Sequence, residues 1–153
     1  MRSQDRVKLA AEKAGLAISI LEMPQSTRTA EEAAAACGCA VAQIVKSLIF
    51  KRADNGRPVL LLVSGANRVD LDKVAGVIGS ELQRPDADYV RAETGFAIGG
   101  VAPIGSTTPV ATYMDEDLLA HDAIWAAAGK ANSLFRTEPA PLARAAGAQI
   151  ISV

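Results

Sequence analysis

The chain has 153 residues, a formal net charge of −1 and a pI near 5.8. Half of it is hydrophobic and 22% is charged, which excludes a disordered chain and predicts one globular domain over residues 1–153. The charge balance excludes a general nucleic-acid magnet, no apolar run has the length of a membrane span, and Met1–Arg6 carries no apolar signal core, so a cytoplasmic protein is expected.

In chain order, Asp5 to Ala14 is predicted as a helix closed by Gly15, and Leu16 to Leu21 as a strand. Thr29-Ala30-Glu31-Glu32 is a capping box, so Ala30 to Ala36 is helical until Gly38 stops it. A short helix over Val41 to Ile44 delivers the chain to Lys46. Ser47 to Lys51 and Pro58 to Val63 are apolar runs around Asn55-Gly56, a hairpin signal. Asp70 caps a helix reaching Ile78, and Glu81 to Gln83 reads as a short strand. Pro85 opens a helix running to Glu93, followed by a glycine-rich loop to Gly105. Val110 to Tyr113 is a strand and Asp115 to Leu119 a helical turn. Ala123 to Ala128 and Ser133 to Arg136 are short strands around Gly129-Lys130-Ala131-Asn132. Pro139 to Ala145 is the last helix and Gln149 to Val153 the last strand. Hairpins mixed with helical crossovers predict a mixed α/β sheet with helices around it.

Two features carry chemistry. Lys46 interrupts Ile44-Val45-Lys46-Ser47-Leu48-Ile49-Phe50, where a charge is costly without a partner. It either snorkels to a sheet edge or serves a ligand. The loop Thr94 to Gly105, with Gly95, Gly99, Gly100 and Pro103, exposes backbone N–H groups able to hold an anion or oxyanion. It is neither a Walker loop nor a dinucleotide fingerprint, because it lacks Gly-Lys-Ser/Thr and follows a helix. The bland reading is a turn between helix and strand.

Other groups offer less. His121 is the single histidine, expected to be exposed, and there is no Gly-x-Ser-x-Gly elbow. Cys37 and Cys39 lack two further ligands for zinc and are read as reduced, with Cys37 a weakly supported nucleophile. No metal or organic cofactor is indicated. A hydrolytic reading therefore needs attack by water or by the substrate itself, with Lys46 and backbone donors stabilising the developing charge. Lys46 to Arg68 holds five basic residues against one acid, and Val69 to Ala128 three against ten, so the former is a candidate basic face.

Four segments in register resemble the YbaK/EbsC family of aminoacyl-tRNA editing proteins, relatives of the editing domain of bacterial prolyl-tRNA synthetase. They are Ile44 to Leu48, Gly65 to Asp70, Thr94-Gly95-Phe96 with Gly99 to Gly105, and Ile124 to Gly129. The resemblance implies a curled, mostly antiparallel sheet and hydrolysis of the ester joining a wrong amino acid to a tRNA 3′ end. It implies that Lys46 is the main functional residue and that Gly99 to Pro103 (with Gly100 and Val101) presents backbone groups to the ester. It also implies that Gly129, Lys130 and Asn132 border the amino-acid pocket. This chain has Lys130, Asn132 and Ser133 where several members carry histidine or aspartate. The segment Met23 to Ala30 looks most like the branch acting on Ser- or Thr-charged tRNA, with Ala- and Cys-charged tRNA(Pro) as the other substrates. Ser26, Thr27 and Ser47 are the candidates for reading a hydroxyl. Arg28, Arg68, Thr94 and Gly95 complete the expected binding set, with the basic face meeting the acceptor stem.

Weak, salt-sensitive tRNA binding is expected of so acidic a chain, and recruitment by a synthetase or elongation factor would compensate. Two other readings stand beside the deacylase: a non-catalytic module binding nucleotide or aminoacyl ends, and a small-molecule ester hydrolase.

Overall fold

A computed structural model describes residues 1–153. Its elements are α1 (Ser3–Lys13), β1 (Ile20–Glu22), α2 (Ala30–Cys37), β2 (Val45–Arg52), β3 (Pro58–Ser64) and α3 (Leu71–Ile78). Then follow β4 (Leu82–Gln83), α4 (Ala87–Thr94), β5 (Ala111–Asp115), β6 (Ile124–Ala127), β7 (Ser133–Thr137), α5 (Pro139–Ala146) and β8 (Gln149–Ile151). Turns of 3-10 helix at Val41–Gln43 and Glu116–Ala120 lead out of α2 and β5. The fold is mixed α/β, as the sequence predicts.

The strands form a three-stranded sheet in the order β1-β7-β6 and a five-stranded sheet in the order β4-β2-β3-β5-β8. A single bridge between Ile44 and Trp125 links them. That bridge is parallel, and among the strand pairs only β3–β5 and β5–β8 are.

β3 explains the layering. Val59 to Ser64 are all buried, as expected of a central strand covered on both faces. Strand alternation sends Leu60 and Leu62 into the larger core with Val45, Ile49, Phe96, Met114, Ile124, Phe135 and Leu142. Val59, Leu61 and Val63 face the other way, against Phe50, Val74 and Ile151. Each such burial contributes about 1.5–3 kcal/mol relative to exposure.

Local signals set most boundaries. Thr29 closes the predicted capping box with Glu32, and Gly38 ends α2 in the left-handed region. Several boundaries differ from the sequence expectation; the strand holding Lys46 starts at Val45, not Ser47, and the last strand ends at Ile151, not Val153. The first helix starts at Ser3, with Asp5 reaching back to the Arg2 amide. The first strand starts at Ile20, not Leu16, because only Ile20–Glu22 finds a partner in β7, while the Leu16 amide closes α1 on Ala11 O at 2.8 Å. Pro85 lies outside α4: Asp86 is the N-cap, its carboxylate accepting from the Tyr89 amide at 2.8 Å.

The feature that makes room for a site is the outer side of β2. β4 pairs with β2 only at Lys51 and Arg52. The Gly65 amide donates to Ile44 O and the Arg52 amide to Arg57 O, so even-numbered residues of β2 exchange bonds with β3. The main-chain N–H and C=O of Ser47 and Ile49 therefore point to the open side. No helix is long and apolar enough to cross a membrane.

Candidate active site

A cavity of about 930 Å³ runs along this open side. Every residue from Ile44 to Phe50 lines it, which a strand can do only at its edge, where side chains of both faces are reached. The entry to α2 (Thr27 to Glu31), the turn after β3 (Gly65, Arg68, Val69), Arg84-Pro85, and the glycine loop at Ile98, Gly99 and Val101 add to the wall, with Ala127 and Leu134 of β6 and β7. Its size is at the upper end of the range for small-molecule sites.

Lys46 is half-buried there, and its Nζ donates to the main-chain oxygen of Asn67. Burial holds its pKa below the ordinary lysine value; Glu31 and Asp115 oppose that shift and Arg68 adds to it. Arg28, Arg68 and Arg84 are exposed on the same cavity, against the single carboxylate of Glu31. Arg84 also lies over the Phe50 ring, 6.0 Å from its centre. The expected basic face is thus regrouped. Lys46 and Arg68 belong to it, Arg28 and Arg84 join it, Arg52 is paired with Asp54, and Lys51 lies over Tyr89.

The glycine loop is held from outside. The Arg6 guanidinium donates to Gly95 O (2.8 Å) and Gly105 O (3.2 Å), so one side chain of α1 ties both ends of the loop. It also lies over the Phe96 ring. Gly99 has a positive φ of 91°, and the Arg28 side chain packs 3.5 Å from where its Cβ would stand. The amides of Gly99 and Val101 donate to no atom of the protein. The Gly100 amide, expected as a catalytic donor, instead closes a turn onto Ala97 O at 3.0 Å, and Gly100 lies outside the cavity wall.

The remaining expected residues divide sharply. Thr27, Arg28, Ser47, Arg68 and Val101 line the cavity. Ser47 Oγ is buried without a hydrogen-bond partner. Ser26 is exposed and caps the turn into Arg28. Thr94 is fully buried and bonded to Val90 O and the Phe96 amide, so it shapes the loop and lies outside the cavity wall. Gly95 is the left-handed cap of α4, and Pro103 lies on a separate cavity of about 340 Å³. Gly129, Lys130 and Asn132 do not reach the wall. They brace it: Asn132 and Met23 exchange two bonds, and Thr27 donates twice to Ala131 O. Lys130 pairs with Glu22 at 3.5 Å.

His121 is half-buried at the end of its turn and away from the cavity, not exposed. The Cys37 thiol is pushed up to about 11 by burial and by Cys39, which unfits it as a nucleophile. Sequence reasoning missed Arg84, Glu31, Asn67 and Asp115. Only Asn67 lay in one of the segments that carry the resemblance, Gly65 to Asp70; Glu31 and Asp115 were marked for helix capping and a turn alone.

The family model described as the aminoacyl-tRNA editing domain matches residues 24–145. The chain is 29% identical over 123 residues to an uncharacterized protein, YwhH, of Bacillus subtilis, covering 80% of this chain and 78% of the relative. It is 30% identical over 112 residues to EbsC of Enterococcus faecalis, a candidate Cys-tRNA(Pro)/Cys-tRNA(Cys) deacylase, covering 72% and 68%. The crystal structure of a candidate trans-editing enzyme for prolyl-tRNA synthetase superposes with a TM-score of 0.92 at 46% identity, over 99% of this chain and 96% of that one.

Proposed function

Because the chain belongs to the aminoacyl-tRNA editing domain family, we propose that it is a trans-acting deacylase that hydrolyses the ester of a mischarged tRNA. tRNA(Pro) is the first carrier to test, since the relatives described as acting on Cys-tRNA(Pro) or for prolyl-tRNA synthetase are the ones it matches. The observation that carries the reading is the Lys46 ammonium sharing one cavity with the unbonded Gly99 and Val101 amides.

The reaction follows from those groups. Arg28, Arg68 and Arg84 meet the phosphates of the acceptor end. The terminal adenosine and its amino acid enter along β2. Water, its proton passing to a hydroxyl of the substrate or to solvent, attacks the ester carbonyl, and the negative charge that grows on the carbonyl oxygen is met by the Gly99 amide and Lys46. The ester C–O bond then breaks, the ribose oxygen takes a proton, and free amino acid and tRNA leave.

Ser47 supports a polar amino acid, serine or threonine ahead of alanine or cysteine. A buried hydroxyl without a partner costs about 1–3 kcal/mol, which a hydroxyl of the substrate would recover. Two effects of opposite sign are expected of Ser47→Ala. Thermal stability stays level or rises by up to about 1 kcal/mol. Selectivity for the hydroxylated substrate, read as a ratio of kcat/KM values, falls about tenfold. A loss of stability with unchanged selectivity would make the hydroxyl structural.

The function itself is tested with tRNA(Pro) and tRNA(Thr) charged with Ser, Thr, Ala or Cys. Selective release of one amino acid supports the deacylase. Binding of charged ends without release favours a non-catalytic module, and cleavage of simple esters regardless of the tRNA favours a small-molecule esterase.

A further inference from the structure

Lys46 carries its charge on a four-carbon stem with freely turning bonds. To meet one oxygen in a cavity of this size, the ammonium must be held. Its hydrogen bond within the protein goes to the main-chain oxygen of Asn67. Asn67 sits in the turn after β3, where its own amide donates to Ser64 O at 2.9 Å.

The side chain of Asn67 is held in turn. Its Nδ2 donates both hydrogens to carboxylates, to Asp115 Oδ2 at 2.8 Å and to Asp117 Oδ2 at 2.7 Å. Asp115 is 1% exposed. Its Oδ2 also accepts from the Ser64 amide at 3.0 Å and its Oδ1 from the Asp117 amide at 2.9 Å. Capping the turn at Glu116–Ala120 accounts for Oδ1 alone. The other oxygen joins the end of β3 to Asn67, and a buried carboxylate would be costly here without these donors.

We propose that Asn67, clamped by Asp115 and Asp117, is the positioning residue that aims the Lys46 ammonium into the cavity. This inference rests on the deacylase reading for its catalytic consequence, though not for its geometry. It explains the residue type. An asparagine offers two hydrogens to two carboxylates, whereas the isosteric aspartate would set a third negative charge against them. The charged groups around Lys46 are Glu31 from α2, Arg68 beside Asn67 and Asp115 from β5, with Arg28 and Arg84 on the same cavity.

The test uses the whole chain labelled with 15N at lysine Nζ, the Lys46 signal being identified by its loss in Lys46→Met. In Asn67→Asp and Asn67→Ala the signal is expected to move toward those of exposed lysines. Freed from the desolvating wall, the ammonium also titrates nearer to an ordinary lysine than in wild type. On charged tRNA the same variants lose about tenfold in kcat, with KM changed less than about twofold. Asp117→Asn, at an exposed position, gives the same displacement in smaller degree without touching the core, and so decides the matter if either Asn67 variant folds poorly. An unmoved Nζ signal and wild-type kcat in folded variants would overturn the proposal. A wild type inert on every charged tRNA would overturn the deacylase reading alone, and the Nζ displacement would still decide the positioning.

Discussion

Lys46→Ala is expected to slow deacylation of the preferred mischarged tRNA by about 10²–10³-fold, the usual loss when one preorganised donor to a developing oxyanion is removed. The chain should stay folded. Lys46 is half-buried at the open side of β2, so its removal deletes a partly desolvated charge along with the stem that covers apolar wall. Lys46→Met separates the two, keeping the stem and losing the charge. Equal kcat losses in both variants would assign the effect to the ammonium. Near-wild-type activity in Lys46→Met would reduce Lys46 to packing and sink the mechanism. The pH profile has a definite sign. Burial lowers the Lys46 pKa, so the enzymatic rate, corrected for base hydrolysis of the ester, should fall as pH rises through a value below that of an ordinary lysine.

Gly65→Ala is expected to cost about 1–3 kcal/mol of stability, from overpacking against parts that cannot move independently. In a chain of this length that corresponds to a Tm lower by roughly 2–12 °C. A Cβ on Gly65 would collide with the main-chain oxygen of Val41 and stand 3.0 Å from Ala30 Cβ. Neither can retreat cheaply. The Val41 turn is anchored by the Ile44 amide on Val41 O at 3.0 Å, and Ala30 is the buried first residue of α2. The Gly65 amide itself is committed to Ile44 O at 2.7 Å. Because Gly65 lines the cavity between α2 and β2, the strain should also displace Lys46, so activity falls with stability. An unchanged melting temperature would mean that the turn at Val41 yields far more readily than its bonds suggest.

The contrast between these two residues shows what a sequence can declare. Lys46 announced itself because a cation in an apolar run violates a local rule. The Thr29 box and the Asp70 cap were legible for the same reason, their partners being three residues away. The hairpin at Asn55-Gly56 was equally local, with Gly56 in the left-handed region and the Arg57 amide on Asn55 Oδ1. What stayed hidden depends on partners far along the chain. Arg84 reaches the cavity only through the β2–β4 pairing. Asn67 meets Asp115 across 48 positions. Arg6 holds a loop whose ends lie 89 and 99 residues away, although the resemblance began only after α1. The bond of the Gly100 amide to Ala97 O was hidden too, because composition reveals that a loop is rich in glycine, not which amides its own turn consumes.

The open side of β2 has one more consequence, for how an occupant would be seen. Amides of Lys46, Leu48 and Phe50 face β3, whereas those of Ser47 and Ile49 face the cavity. Hydrogen–deuterium exchange in the empty protein should therefore alternate residue by residue, slow at the even positions and fast at the odd ones. A molecule that fills the cavity should slow only the odd set and flatten the alternation. The strand thus serves as a built-in occupancy gauge: a non-hydrolysable mimic of the proposed aminoacyl end should register on it before any bond is broken.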